Sequence, residues 1–358
     1  MLFANNKYLK ILTLLQATPI FILESFCSTS KLLKTFNGHT EFANSIDYST
    51  FDDRQFICSG SHDGTVRVWD VDTNKQIKSF KHLDWVHYVK FSQYYYHNNH
   101  RNIICFSAED NAIHFWDFKD NKQLQAFNGH TDVIYEIEFS SFSGGRYLCS
   151  GSDDKTIRLW DVETSKSLHV FNEHTEYVWC VDISPLQSNN NNNKCNSIGV
   201  IGGNGYTICS GSGDKTIRIW DIETTKQLNV FYGHEGRISS VKYGSNELGI
   251  NGGANTILSG SEDKSVRLWD IRSGKQIQVF NGHKHWVNVV EYSPFVIKNS
   301  KIGGSSNVIC SGSTDITIRF WDIRSNKKEF HMIKGDFYED GSILCLKFIQ
   351  LKEKIKKQ

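Results

Sequence analysis

The sequence predicts an all-β fold, a closed propeller of about seven four-stranded blades, six of them carrying Trp-Asp. Three observations predict it. A fourteen-residue phrase recurs almost unchanged, as GSDDKTIRLWDVET (151–164), GSGDKTIRIWDIET (211–224) and GSEDKSVRLWDIRS (260–273). Trp-Asp pairs fall at Trp69-Asp70, Trp116-Asp117, Trp160-Asp161, Trp220-Asp221, Trp269-Asp270 and Trp321-Asp322. Every one of these Trp residues stands six residues after an Asp (Asp63, Asp110, Asp154, Asp214, Asp263, Asp315). A His opens each copy (His39, His82, His130, His174, His234, His283), and all but the first lie 13 or 14 residues after the preceding Trp. Self-similarity at this period marks a propeller or a solenoid.

The spacing assigns the elements of each unit. The interval from His to its Asp varies from 24 to 40 residues while the others hold nearly constant. Constant intervals imply strands joined by tight turns; a variable one implies a surface loop that tolerates insertion. In the third copy the first strand is VIYEIEF (133–139), then YLCSGS (147–152), TIRLW (156–160) and SLHVF (167–171). All are short alternating runs bounded by turn residues. The insertions SNNNNNKCNSIGVIGGNG (188–205), GSNELGINGGAN (244–255) and KNSKIGGSSN (298–307) fall between first and second strands. Such Asn and Gly tracts lack core-forming groups and receive no binding role. IGGNG (201–205) has no following Lys-Ser/Thr, so it does not read as a phosphate loop.

Closure needs a seventh blade, because an open stack leaves two unpaired edges. KLLKTFNGH (31–39) reads as an outer strand, and KGDFYEDGSILCLKF (334–348) as the start of the last blade, with Asp336 in the His place. Within residues 1–30, YLKILTLL (8–15) and PIFILESF (19–26) are expected to supply its second and third strands. A secretory signal or a disordered start are the alternatives for 1–30. Residues 31–348 form the propeller and 349–358 a basic tail.

Composition bounds the function. Forty Lys and Arg against 39 Asp and Glu leave a net charge of +1 over 358 residues, no electrostatic footprint for nucleic acid or anionic membrane. The apolar runs of 1–30 are too short to span a membrane. Five of nine cysteines (Cys58, Cys105, Cys149, Cys209, Cys310) share one place in the unit, which Leu258 takes in the fifth copy. A position exchanging Cys for Leu wants a small hydrophobe, so reduced core thiols are expected rather than disulfides. There is no CxxC pair, and neither metal nor cofactor is expected.

With Gly-His, the SGS-x-D turn and terminal Trp-Asp, the chain resembles the WD-repeat (β-transducin repeat) family over about residues 31–348. The resemblance implies a hydrogen-bonded tetrad in each blade: His39/Ser59/Asp63/Trp69, His130/Ser150/Asp154/Trp160, His174/Ser210/Asp214/Trp220, His234/Ser259/Asp263/Trp269 and His283/Ser311/Asp315/Trp321. A buried carboxylate is tolerated only when hydrogen-bonded, and imidazole and indole supply donors. Repetition in every blade argues for a structural device and against a hydrolase triad. The second copy has Phe106 in the Ser place and Lys81-His82 for Gly-His; its chain should be broken and its blade the least stable.

The resemblance also implies that residues three and five after each His surround the mouth of the central channel, on the face of the His and Asp turns. These residues are Phe42, Trp85, Val133, Tyr177, Arg237 and Trp286, then Asn44, His87, Tyr135, Trp179, Ser239 and Asn288. Aromatics and Arg at one rim are the composition of interface anchors. Phe42, Trp85, His87, Tyr135, Tyr177, Trp179, Arg237 and Trp286 are therefore the candidate partner-binding residues. Tyr135 and Trp179 are expected to receive an arginine between them, and His87 to add pH sensitivity. The expected function is a non-enzymatic scaffold binding protein or peptide partners in a multiprotein complex, in cytoplasm or nucleus. The alternatives are a reader of modified or Arg-containing tails, as in chromatin complexes, and, of another class, a secreted propeller or propeller hydrolase.

Overall fold

The computed structural model describes residues 1–5, 8–13, 26, 31–141, 143–184, 206–244, 256–294, 308–324, 329–335 and 341–349. They form seven antiparallel four-stranded sheets in a ring, with one short helix at Gln93–Asn99. The insertion 188–205, most of the other two, Asp336 and the tail beyond Ile349 lie outside the described residues.

The third blade shows how the repeat makes a blade. Its inner strand Ile134–Phe139 pairs with Tyr147–Ser152, then Ile157–Asp161, then the outer Lys166–Phe171. The second strand is almost wholly buried, whereas the outer strand is exposed except near its end. Alternation and β-branched residues suit a pleated surface packed between neighbouring blades. Gly151 permits that packing: a Cβ there would stand 2.8 Å from Val178 Cγ1 of the next blade.

The residue after each recurring Asp turns the chain in the left-handed region: Gly64, Asn111, Lys155, Lys215, Lys264 and Ile316. Only Gly and Asn take that conformation cheaply. The Asp side chain holds the turn across it; Asp154 Oδ1 accepts the Thr156 N–H at 2.9 Å.

The seventh blade joins the two ends of the chain. Its inner strand is Ile343–Lys347, followed by Leu2–Asn5, Tyr8–Thr13 and the outer Lys31–Asn37. Residues 1–30 therefore supply the second and third strands, but one strand earlier than expected: 8–13 is the third, and 2–5 the second. The hairpin pairs Asn5 with Tyr8, the tightest register available. PIFILESF falls outside the described residues apart from Phe26, which is buried against Phe320 with centroids 5.9 Å apart.

Candidate partner-binding face

Five blades carry the same side-chain chain. In blade three, Trp160 Nε1–H donates to Ser150 Oγ at 2.8 Å, Ser150 Oγ lies 2.7 Å from His130 Nε2, and His130 Nδ1 lies 2.7 Å from Asp154 Oδ2. In blade one Ser59 Oγ lies 2.7 Å from His39 Nε2 and accepts the Trp69 indole N–H at 3.0 Å. In blade four Ser210 Oγ stands 2.8 Å from both His174 Nε2 and Trp220 Nε1. Ser259 repeats this in blade five, 2.8 Å from His234 Nε2 and from Trp269 Nε1. Ser311 does so in blade six, 2.7 Å from His283 and 2.9 Å from Trp321. The remaining His–Asp links, to Asp63, Asp214, Asp263 and Asp315, measure 2.9, 2.7, 2.7 and 3.0 Å.

Ser59, Ser150, Ser210, Ser259 and Ser311 are all fully buried. Each hydroxyl is held inside its blade between an imidazole and an indole, so these serines tie strands together and are closed to any partner or substrate. Burial lowers the pKa of His130 against the pull of Asp154. Burial alone would raise Asp154, yet its hydrogen bonds from His130 and Thr156 hold it well below the usual carboxylate range.

Blade two differs. Phe106 is fully buried, and Trp116 Nε1 has no partner. Among the described residues, seven buried polar side-chain atoms lack a hydrogen bond, and five lie in blade two, on His87, Ser92, Asn102, Ser107 and Trp116. Its His82 turns to Asp110 instead, Nε2 to Oδ2 3.3 Å, and His114 Nε2 reaches the same oxygen at 2.9 Å.

The tetrad His and Asp turns share one face, and around its mouth the rim side chains form a continuous arc. Phe42 meets His62 edge-on at 6.1 Å, His62 stacks on Trp85 at 4.4 Å, and His87 meets Tyr135 edge-on at 5.6 Å. Tyr135 stacks on Trp179 at 4.1 Å with 27° between the rings, and Tyr177 lies 6.2 Å from Tyr135. Arg237 lies over the Trp179 ring at 3.9 Å and 5.9 Å from Trp286, while its guanidinium pairs with Glu262 at 2.9 Å. Phe42, Trp85 and Trp286 stay 42%, 49% and 43% exposed. Tyr135, Tyr177, Trp179, His87 and Arg237 are half-buried against one another.

Two details depart from the sequence reading. At 4.1 Å the Tyr135 and Trp179 rings leave no space for an arginine between them, and the chain's own Arg237 sits on Trp179. Burial, helped by His62, lowers the pKa of His87 to about 4, so it stays neutral at physiological pH. Near it the arc carries acids: Glu109 and Asp153 are raised by burial and by neighbouring Asp84 and Asp132 respectively.

The sequence reading missed the channel itself. The eighth residue after each His points to the axis: Asp47, Lys90, Glu138, Asp182, Lys242 and Glu291, with Lys347 from the last blade. In the first six blades these residues pair across the sheet with the Cys58-type position. Lys90 bonds Glu138 at 2.6 Å and Lys347 bonds Asp47 at 2.5 Å, while Tyr88 donates to Glu136 at 2.7 Å. A charge at this place in six consecutive copies was the available signal.

The family profile described as "WD domain, G-beta repeat" matches residues 30–70, 121–161, 165–221, 225–270 and 274–322, well over half of the chain. It leaves out 71–120, which hold the first three strands of the aberrant second blade. The chain is similar to the "U5 small nuclear ribonucleoprotein 40 kDa protein" of Homo sapiens, 35% identical over 220 residues, 61% of this chain and 56% of that protein. The Mus musculus protein of the same name is 34% identical over the same length. The "Ribosome biogenesis protein YTM1" of Yarrowia lipolytica (strain CLIB 122 / E 150) is 48% identical over 40 residues, 11% of this chain and 8% of that protein. The match thus spans little more than half the length of the ribonucleoprotein relatives.

Proposed function

The chain belongs to the WD-repeat family, and on that premise we propose that it is a non-enzymatic scaffold of a nuclear multiprotein complex, binding a protein partner on its tetrad face. The observation that carries the reading is the arc from Phe42 to Trp286, because exposed aromatics contiguous around one rim are what an interface core needs. The similar protein is named as a 40 kDa protein of a small nuclear ribonucleoprotein, which supports the complex and the nuclear setting. No helix among the described residues is long and apolar enough to cross a membrane.

The rim acids favour a cationic partner segment. Asp84, Glu109, Asp132 and Asp153 gather beside Trp85, His87 and Tyr135, and burial raises Glu109 and Asp153 toward protonation. A Lys or Arg side chain placed there would relieve that cost and meet aromatic faces. Such a segment would lie across Trp85 and His87, because the Tyr135–Trp179 gap is closed.

The test is affinity purification with mass spectrometry from cells expressing the full chain. Trp85→Ala/Trp286→Ala should lose the recovered partners with little change in melting temperature. Leu228→Ala/Ile277→Ala, exposed on outer strands, should retain them. Partners lost only from the outer-strand variant would overturn the reading.

A further inference from the structure

In blades one, three, four, five and six the residue two before the Trp is Arg: Arg67, Arg158, Arg218, Arg267 and Arg319. Arg67, Arg218 and Arg267 stand 3.8, 3.8 and 3.3 Å from their tetrad carboxylates. Four before the Trp, those blades carry Thr65, Thr156, Thr216, Ser265 and Thr317, whose hydroxyls donate to the same Asp at 2.5–2.6 Å. Blade two replaces both, with His114 and Ala112, and replaces the tetrad serine with Phe106. Asp110 has thereby exchanged a fixed cation and a hydroxyl donor for a second imidazole.

The packing turns both imidazoles toward that carboxylate. His114 lies flat against Phe106, centroids 4.9 Å apart and 22° between planes; His82 meets Phe106 edge-on at 5.8 Å. Phe80 and Trp116 extend this apolar floor. One ring nitrogen each of His82 and His114 and a carboxylate oxygen of Asp110 lie within 4.8 Å of one another, the one such convergence among the described residues. The two nitrogens are 3.3 and 2.9 Å from Asp110 Oδ2. With metal–ligand bonds of about 2.0–2.2 Å, a tetrahedron has edges of about 3.3–3.6 Å. Both nitrogens already stand at about that spacing from the Asp110 oxygen, and drawing the two imidazoles onto a common point would seat an ion.

We propose that His82, Asp110 and His114 form a three-ligand site for a transition-metal ion of the Zn2+ class. Two imidazoles and one carboxylate suit such an ion and not Mg2+ or Ca2+, which take oxygen ligands. The outer shell around His114 fits the role. Gln123 Nε2 lies 3.1 Å from His114 Nδ1. On metal binding the imidazole proton moves from Nε2 to Nδ1, and the Gln123 amide turns its carbonyl to accept it. On the His82 side the Asp84 N–H reaches Nδ1 at 3.3 Å, a long contact that the same proton shift would break. His114 is buried while Asp110 is 32% exposed, so the site opens to solvent on one side, where water completes the fourth position.

The probes are Co2+, followed by its visible absorption, and Zn2+ in competition and by thermal shift, all on the full chain. The native protein should bind Co2+ saturably at one equivalent, release it to Zn2+, and melt at a higher temperature with Zn2+. His114→Arg, which installs the residue of the other five blades, should weaken both ions by roughly tenfold or more and abolish the Zn2+ shift. His114→Gln should do the same, so failure of one variant to fold leaves the other to report. His97→Ala/His100→Ala, on the helix and its cap, should change nothing. No saturable Co2+ signal in the native chain, or equal affinity in both His114 variants, would overturn the proposal and leave the trio as a hydrogen-bonded cluster.

Discussion

Lys242 on the inner strand of blade five reaches past blade four to Glu138 of blade three, Nζ to Oε2 3.6 Å, and lies 3.9 Å from Glu136. Asp182, the blade-four residue between them, instead accepts the Tyr243 N–H at 2.8 Å. The channel thus gathers five carboxylates, on Asp47, Glu136, Glu138, Asp182 and Glu291, around three ammonium groups.

That excess of carboxylates predicts a pH-dependent gain. Burial, only partly offset by Lys242, raises the Asp182 pKa to about 7. A carboxyl whose folded pKa exceeds its unfolded value of about 4 destabilises the fold as pH rises between the two. Asp182→Asn keeps an acceptor for Tyr243, gives up the one that Ile183 uses at 3.1 Å, and should raise stability at pH 8 by about 1 kcal/mol. The gain should vanish toward pH 4. Denaturant melts at both values check it; a loss at pH 8 would refute it.

The tetrads respond to acid in the opposite sense. His39, His130, His174, His234 and His283 are lowered by burial, and Asp63, Asp154, Asp214, Asp263 and Asp315 lie below the carboxylate range despite theirs. A lowered His contributes fully above its unfolded value of about 6.5 and less as pH falls; a lowered Asp contributes fully above about 4 and less below it. Stability should therefore fall below about pH 6.5 and steepest below about 4. Asp182→Asn should steepen the first part of that fall. A melting temperature flat from pH 7 to 3 would contradict it.

Indole donors should count unequally. Trp160→Phe removes a bonded N–H and leaves Ser150 short of a donor, costing about 1–3 kcal/mol. Trp116→Phe removes an N–H that has no partner and should cost about 1 kcal/mol less. Parallel chemical denaturation of the two variants decides it.

Deleting residues 1–13 should destabilise the fold by more than any single substitution above. Leu2–Asn5 is the strand beside Ile343–Lys347, and Tyr8–Thr13 the strand beside Lys31–Asn37. Removing both leaves unpaired edges on each side of the gap. A truncated chain melting with the full one would show that the ring closes without them.

The sequence alone determined the blade and its number of copies. The tetrad of His, Ser, Asp and Trp accompanies the same backbone turn in five blades, so the repeat is written largely in polar residues that local physics favours. Ser59, Ser210, Ser259 and Ser311 were legible for that reason, each one place before a Gly-Ser pair and ten before its Trp. The turn after each Asp was legible likewise. Ring closure decided the rest. LFAN is too short to show alternation, and only pairing with Ile343–Lys347 makes it a strand. Tyr135 and Trp179 belong to different blades, so their stacking, and Arg237 over it, follows from the blade-to-blade angle. Asp47, Lys90, Glu138, Asp182, Lys242, Glu291 and Lys347 are scattered charges along the chain and neighbours around the axis. The His82–Asp110–His114 cluster arises in the same way: one replaced residue, His114, meets the recurrent His82 and Asp110 only once the strands pair, because side-chain contact depends on the sheet and not on separation along the chain.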